Sequence, residues 1–226
     1  MNANTKTSGP IDGSAREAIL ASVRRSLAAS EPFDAAHREH HQSSHNLWTP
    51  PAMVTEGDVL VGNFKDNLES VGGHCMVVKD ESEAAGHIQS LIKRLGASRI
   101  AVSDSEIATR IVEGIETTAN ASRDFLFGSD LGITGAQWAI AETGTLVLES
   151  ERESHRLASL VPPVHVCILR ADNIRQTLGE ILELTRRELS PAVTFITGAS
   201  RTSDIELTLA IGVHGPGELH VIIIAD

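Results

Sequence analysis

Hydrophobic residues recur along the chain with two spacings, one typical of helices and one typical of buried strands. Apolar residues three and four apart predict helices at residues 58–71, 82–95, 105–115 and 174–188, and an N-terminal helix after Ser14. Short apolar runs predict strands at HCMVV, RIAVS, TLVLES, HVCILR, AVTFI and LHVIII. GITGAQWAIAE is expected to carry a short helix, and DIELTLAI an extra strand that could pair antiparallel with LHVIII.

Strands that alternate with helices of this length predict an α/β fold with an open, mostly parallel sheet flanked by helices. Residues 1–55 are predicted to form an N-terminal helix and a flexible, His-rich linker, and residues 56–226 the α/β domain. The linker holds His37, His40, His41 and His45. His37 and His41 have a spacing that suits a metal, but the polar composition favours a mobile segment, and no metal site is predicted.

The composition indicates a soluble globular protein, since 41% of the 226 residues are hydrophobic and 22% are charged. A formal net charge of −11 argues against a nucleic-acid partner, because phosphate binding needs clustered Lys and Arg. No apolar run approaches the roughly 18 residues of a membrane span. The first residues, MNANTKTSGP, lack the apolar core of a signal peptide, so a cytoplasmic location is expected.

The two cysteines, Cys75 and Cys167, stand alone in apolar runs and are predicted to be buried strand residues. The sequence has no C-x-x-C spacing, so no iron–sulfur cluster of the usual kind is expected in this chain. The dinucleotide, P-loop and G-x-S-x-G signatures are also missing from the sequence. The candidate chemistry is therefore confined to three glycine-bearing stretches.

The first stretch is AETGTLVLES, at residues 141–150. One interpretation is a helix-to-strand turn, with Gly144 at positive φ and Thr145 opening the strand. The other makes Glu142 an acid, base or nucleophile at a sheet edge, with Thr143 and Thr145 as hydrogen-bond donors. The sequence leaves both interpretations open.

The second stretch, TGASRTSD, follows the predicted strand AVTFI. If that strand is parallel to its neighbours, the stretch lies at the carboxyl end of the sheet, where open α/β folds bind ligands. Gly198, Ser200 and Thr202 would then suit a small anion, and Arg201 could clamp a carboxylate or phosphate. The alternative is that Asp204 pairs with Arg201 or caps local structure.

The third stretch is GVHGPGELH, at residues 212–220. His214 is flanked by Gly215 and Pro216 in a tight turn, a placement that favours a functional role over a core role. A plain hairpin turn is the alternative. His165 and His220 lie in apolar strands. They are interpreted as structural residues at the end of the sheet, with their ring nitrogens hydrogen-bonded.

Three longer stretches carry a family resemblance: GITGAQWAIAETGTLVLES, RLASLVPPVHVCIL and ITGASRTSDIELTLAIGVHGPGELHVIII. In order and spacing they resemble the LUD-domain family, and most closely its lactate utilization protein C branch. The resemblance extends from about Leu131 to Ala225. The family usually has Gly-Pro-Ser-Arg-Thr where this chain has Gly-Ala-Ser-Arg-Thr at residues 198–202. Loss of the Pro loosens the turn but keeps the Arg and the hydroxyls, so the ligand is expected to be unchanged.

The resemblance implies a fold like that of CoA transferases and sugar-phosphate isomerases. It also implies that the chain acts with iron–sulfur partner proteins in the oxidation of L-lactate to pyruvate. The chain itself would be a non-redox subunit without a cofactor. Arg201 and the Gly198–Thr202 backbone would suit the lactate carboxylate, and His214 or Glu142 could accept the hydroxyl proton.

Two other functions stay open at the level of sequence. An independent CoA transferase or sugar-phosphate isomerase would use Glu142 as nucleophile or base. A non-catalytic regulator would use the same loops only to sense a small anion.

Overall fold

The computed structural model describes residues 13–29, 57–119, 121–153, 156–185, 190–203, 209–212 and 214–225. The predicted His37–His45 segment and Asp204 of the predicted anion site lie outside these ranges. The chain divides into two units, residues 1–52 and residues 53–226. In the first unit, α1 (Gly13–Ala29) forms where the sequence predicted a helix.

Helices and strands alternate along the second unit. The helices are α2 (Gly57–Ser70), α3 (Glu81–Leu95), α4 (Glu106–Ile111), α5 (Arg123–Phe127) and α6 (Leu178–Thr185), with short 3-10 helices at Arg156–Ser159 and Ala171–Asn173. The strands are β1 (His74–Val78), β2 (Ile100–Val102), β3 (Thr118–Ala119), β4 (Leu131–Gly135), β5 (Trp138–Ile140), β6 (Thr145–Glu149), β7 (Val164–Arg170), β8 (Ile174–Arg175), β9 (Val193–Ile196), β10 (Arg201–Ser203), β11 (Leu209–Ile211) and β12 (Glu218–Ile224). None of the helices in the described ranges combines the length and the apolar character needed to cross a membrane.

The centre of the second unit is a six-stranded sheet in the order β1–β12–β7–β4–β2–β3, in which every neighbouring pair is parallel. Side chains of α3 and α4 pack on one face, against Ile133, Val166 and Ile222. Side chains of α2 and β6 pack on the other face, against Cys167 and Val221. Because both faces are covered, the central strands are apolar throughout, and the predicted α/β fold class is confirmed.

The prediction of a short helix in GITGAQWAIAE is wrong. This stretch forms β4 in the central sheet and then β5 in a second sheet of four strands, ordered β8–β5–β6–β9. All five residues of β4 are buried, and β4 is paired on both sides, with β2 and β7. Periodicity cannot distinguish such a short, buried apolar run from a helix, so tertiary pairing decides its conformation. The predicted helix at residues 174–188 begins late, at Leu178, because Ile174–Arg175 pairs with β5 as β8.

Two predictions about strand partners are also wrong. AVTFI was expected in the parallel sheet, but β9 lies in the second sheet, antiparallel to β6. The strand predicted in DIELTLAI is β11, which pairs with β10 rather than with β12. Both edges of β12 are already occupied, by β1 and β7, so β12 has no free edge for a further strand.

Candidate functional site

The TGAS turn, residues 197–200, lies at the amino end of the parallel sheet. The Ser200 amide donates to the Pro216 carbonyl at 2.8 Å, and the Gly217 amide donates to the Pro163 carbonyl at 2.9 Å. Pro163 directly precedes β7, and Gly217 directly precedes β12. The predicted position at the carboxyl end is therefore wrong, because β9, the strand that leads into the turn, does not belong to the parallel sheet.

The turn forms one wall of a cleft of about 330 Å³, which we call the amino-end cleft. Its other walls are residues 194–196 and 214–216, Ser159, Leu160, His165 and Leu219. The cleft brings together the second and third predicted stretches, because Gly198, Ser200, Arg201, His214 and Gly215 all line it. The described wall residues include a cationic Arg and no Asp or Glu, so the cleft favours an anionic ligand.

Arg201 fixes the turn to the end of α2. Its guanidinium donates to the Val71 carbonyl, one residue beyond the end of that helix. Gly198 has φ +81°, and a Cβ atom there would lie 2.7 Å from the same carbonyl oxygen, so glycine is required for this close approach. A guanidinium has five N–H donors, so the contact with Val71 still leaves donors for a ligand. The side chain of Thr202 and the whole of Asp204 lie outside the described residues, and their predicted roles stay predictions.

A chain of hydroxyl groups connects the first predicted stretch to the cleft. Thr143 Oγ1 lies 2.7 Å from Thr145 Oγ1, which lies 2.7 Å from Thr197 Oγ1 in the cleft wall. Gly144 has φ +64°, and a Cβ atom there would lie 2.3 Å from the Leu68 amide nitrogen of α2. The positive φ is as predicted, but the turn joins the antiparallel strands β5 and β6 and is not a helix-to-strand turn.

The two candidate catalytic residues do not line a common cavity. His214 is exposed and lines the amino-end cleft. Glu142 is exposed, and its Oε1 accepts from the Leu178 amide, at 3.2 Å, at the start of α6. A carboxylate at a helix N-terminus stabilises that helix, so this contact gives Glu142 a structural role. The catalytic roles of both residues stay predictions.

His165 lines the amino-end cleft, although the sequence pattern indicated a structural residue at the end of the sheet. Its side chain is only 1% exposed, and burial lowers its pKa to about 3, so the imidazole is neutral. Nε2 lies 2.8 Å from Thr134 Oγ1, while Nδ1 has no hydrogen-bond partner. The only sequence signal is a single His inside the apolar run VHVCIL.

A second opening lies at the carboxyl end of the parallel sheet, where β2 and β4 end side by side. After β2 the chain continues to β3 on one side, and after β4 it returns to the sheet as β7 on the other side. The point where two neighbouring strands connect in opposite directions is the usual ligand site of open α/β sheets. This carboxyl-end crevice has a volume of about 560 Å³. Its walls include residues 104–107, 136–138 and 151–152, with Arg110 and Arg170.

A buried acid, Glu153, lies behind the wall of this crevice and has no counterpart in the sequence prediction. It is 1% exposed, its Oε1 accepts from the Gly135 amide at 2.8 Å, and its Oε2 has no hydrogen-bond partner. Burial raises the pKa of Glu153 to about 7, although the Ser103 and Ser105 hydroxyls and the Gly135 amide favour the charged form. In the sequence, the segment ERES looks like any exposed polar turn.

The crevice carries charges of both signs. Arg110 holds Glu81 through two contacts, of 2.7 Å and 2.8 Å, and Arg170 reaches the same carboxylate at 3.1 Å. Asp104 and Glu151 are further acidic residues of the wall. The amino-end cleft is therefore the better site for an anion. Within the described ranges, no three His, Cys, Asp or Glu residues are grouped so that they could hold a metal ion.

The model of the LUD domain matches residues 61–224, a range that contains both openings. This chain belongs to the LUD domain family. Within the family it falls in the branch of lactate utilization protein C. A curated protein of that name from Deinococcus radiodurans is 31% identical and aligns over 96% of this chain and 99% of its own length. One from Anoxybacillus flavithermus is 30% identical over 72% of this chain and 70% of its own length.

A solved structure has the same fold. The crystal structure of a DUF162 family protein from Deinococcus radiodurans superposes with a TM-score of 0.61. It is 26% identical and covers 76% of this chain and 99% of its own chain. The α/β architecture is therefore shared with a family relative.

Proposed function

We propose that this chain takes part in lactate utilization, as the subunit that binds the small carboxylate and has no redox centre of its own. The observation that carries the proposal is the similarity to a lactate utilization protein C over 96% of this chain and 99% of the relative. The same proposal assigns the oxidation of L-lactate to pyruvate to an assembly of this chain with iron–sulfur proteins.

The cysteines support a division of labour between subunits. The sequence contains two cysteines, and a cluster of the usual kind needs four thiolates. Cys167 lies on β7 and is buried as predicted, whereas Cys75 lies on the edge strand β1 and is only half-buried. Burial raises the pKa of both thiols. A buried thiol is a poor metal ligand, because the ligand form is the thiolate. The proposal therefore assigns the iron–sulfur clusters of the assembly to the partner proteins and not to this chain.

The amino-end cleft is the proposed site for the carboxylate. Arg201 supplies positive charge, and Ser200 and Thr197 supply hydroxyl groups in the same wall. An anion in this wall would be held by charge-assisted hydrogen bonds, which are roughly twice as strong as neutral ones.

A reconstitution assay tests the proposed function. Lactate-dependent reduction of a dye is measured with candidate iron–sulfur partner proteins, with and without this chain. We expect the rate to fall at least tenfold when the chain is left out, or when it carries Arg201→Ala. Arg25→Ala, on an exposed position of α1, is the matched control and is expected to retain activity. A rate indifferent to the presence of the chain would refute the proposal.

An independent isomerase is the second candidate function, and Glu153 is the observation that favours it. A carboxyl group with a pKa of about 7 next to a polar crevice is suited to general acid–base catalysis. The test is turnover of pentose phosphates by the purified chain, compared between wild type and Glu153→Gln. Turnover that Glu153→Gln abolishes would establish this function, and no turnover by the wild type would remove it.

A further inference from the structure

The wall of the amino-end cleft contains a polar atom that has no partner within the protein. Among the described residues, only two buried side-chain nitrogen or oxygen atoms make no hydrogen bond: Nδ1 of His165 and Oε2 of Glu153. His165 is one of the residues that line the amino-end cleft. A buried polar atom without a partner destabilises a protein by about 1–3 kcal/mol, so a nitrogen in this position calls for a ligand or a water molecule.

The imidazole is held in a fixed position. Thr134 Oγ1 contacts Nε2 at 2.8 Å, and the two residues lie on adjacent parallel strands, β4 and β7. Cys167 lies on the same face of the sheet. Burial raises the pKa of its thiol, and this effect outweighs the hydrogen bond from Thr134, which lowers it. Both strands are paired on both sides in the sheet, which fixes the backbone at His165, and the contact with Thr134 fixes the orientation of the ring.

The uncharged state of the ring restricts what Nδ1 can bind. If Nε2 carries the proton and donates to Thr134, then Nδ1 is an acceptor; if Thr134 donates to Nε2, then Nδ1 is a donor. A carboxylate oxygen suits only the second case, whereas a hydroxyl group suits both, because it donates and accepts. A hydroxyl is therefore the ligand group that matches this nitrogen in either tautomer.

The rest of the cleft matches a carboxylate. Arg201, Ser200 and Thr197 line the same 330 Å³ volume as His165. In an α-hydroxy carboxylate, the hydroxyl and the carboxylate are on adjacent carbons, so both groups fit within one small cleft. We propose that His165 determines specificity in the amino-end cleft by hydrogen-bonding the hydroxyl of a small α-hydroxy carboxylate. This inference deepens the proposed function and rests on it for the choice of lactate as the probe.

Two substitutions separate the two ring nitrogens. The amide of His165→Gln reaches the position of Nε2, so it keeps a partner for Thr134 and removes Nδ1. The amide of His165→Asn lies near the position of Nδ1 and gives up the contact with Thr134. Binding of L-lactate and of propionate, which lacks the hydroxyl, is measured for each variant by titration calorimetry, with circular dichroism to confirm folding.

We expect wild type to bind L-lactate more tightly than propionate by about tenfold, the value of roughly one hydrogen bond. His165→Gln is expected to remove this preference without changing propionate affinity, and His165→Asn to keep most of it. A preference that survives in His165→Gln would overturn the inference, because discrimination between the two acids would then not depend on Nδ1. Equal binding of both acids by wild type, or binding of neither, would also overturn it.

A measurement on the wild-type chain keeps the inference testable if the variants fail to fold. The nitrogen chemical shift of His165 Nδ1 is followed during titration with each acid. A shift with L-lactate and none with propionate supports the inference, and the same response to both acids contradicts it. The dye-reduction assay still reports separately on the lactate role, so the specificity inference can fail while the proposed function stands.

Discussion

Replacing Glu153 by Gln should change how the stability of this protein depends on pH. Glu153 is 1% exposed, and its Oε2 has no hydrogen-bond partner. Gln keeps an oxygen that can accept from the Gly135 amide, as Oε1 does now at 2.8 Å, and it removes the ionisable group. The substitution preserves the shape of the side chain, so the comparison isolates one proton.

The size and the sign of the effect follow from the pKa. Burial raises the pKa of Glu153 from the ordinary value of 4.5 to about 7, so the folded protein holds this proton more tightly than the unfolded chain. Below pH 4.5 both states are protonated, and burial of the group carries no electrostatic penalty. As the pH rises from 4.5 to about 7, the free energy of unfolding falls, because the unfolded chain releases this proton while the folded state still holds it. Above about 7 both states are ionised and the loss is complete. At about 1.4 kcal/mol per pH unit, the full loss is roughly 3 kcal/mol.

The assay is urea unfolding of wild type and Glu153→Gln, followed by far-ultraviolet circular dichroism between pH 4 and pH 8.5. The difference in free energy of unfolding should move in favour of Glu153→Gln by roughly 3 kcal/mol across this range. All other titrating groups cancel in the difference, and Glu151→Gln, an exposed neighbour, is the matched control. A difference that is flat with pH would refute the reasoning that Glu153 is buried with a raised pKa.

Three further predictions concern packing and the thiols. Gly144→Ala should destabilise the protein by about 3 kcal/mol or more in thermal unfolding, because the new Cβ would lie 2.3 Å from the backbone of α2. Gly86→Ala is the control: it has open space around it in α3, so it should stabilise the protein slightly. Thr134→Val should lower the free energy of unfolding by about 1–3 kcal/mol, since it removes a buried hydroxyl bonded to an imidazole. Cys75 and Cys167 should react slowly with iodoacetamide at pH 8 in the folded protein and rapidly in urea, because burial raises both thiol pKa values; rapid labelling of the folded chain would contradict this.

Local pattern was sufficient for most of the fold. The runs at β6, β7 and β12 are apolar on both faces, as expected for strands buried between two layers. β1 is an apolar run too, but it lies at the edge of the sheet and leaves Met76 and Val77 exposed. The helical stripe of α3 ends at Gly96, which takes the left-handed conformation that closes a helix. Strands alternating with such helices restrict the topology to a parallel sheet with crossovers, so the α/β class followed from the sequence.

The partner of each strand depended on tertiary structure. β9 and β12 are both short apolar runs, yet β12 is parallel in the central sheet and β9 antiparallel in the second sheet. The local pattern of a strand does not show which neighbour it pairs with, because that depends on which strand edges are still free after the other strands have paired. Because β9 lies in the second sheet, the TGAS turn lies at the amino end of the parallel sheet and not at the predicted carboxyl end.

The candidate chemistry divides in the same way. The sequence by itself identified the turn containing Ser200 and Arg201 and the His214 turn, because small residues, hydroxyls and charges in short loops are visible in the chain. The structure alone showed that these turns share one cleft with His165, and that Glu153 is buried behind the opposite crevice. The physical reason is that burial and the lack of a hydrogen-bond partner arise from neighbours distant in sequence, so the state of His165 and of Glu153 was decided only by the tertiary structure.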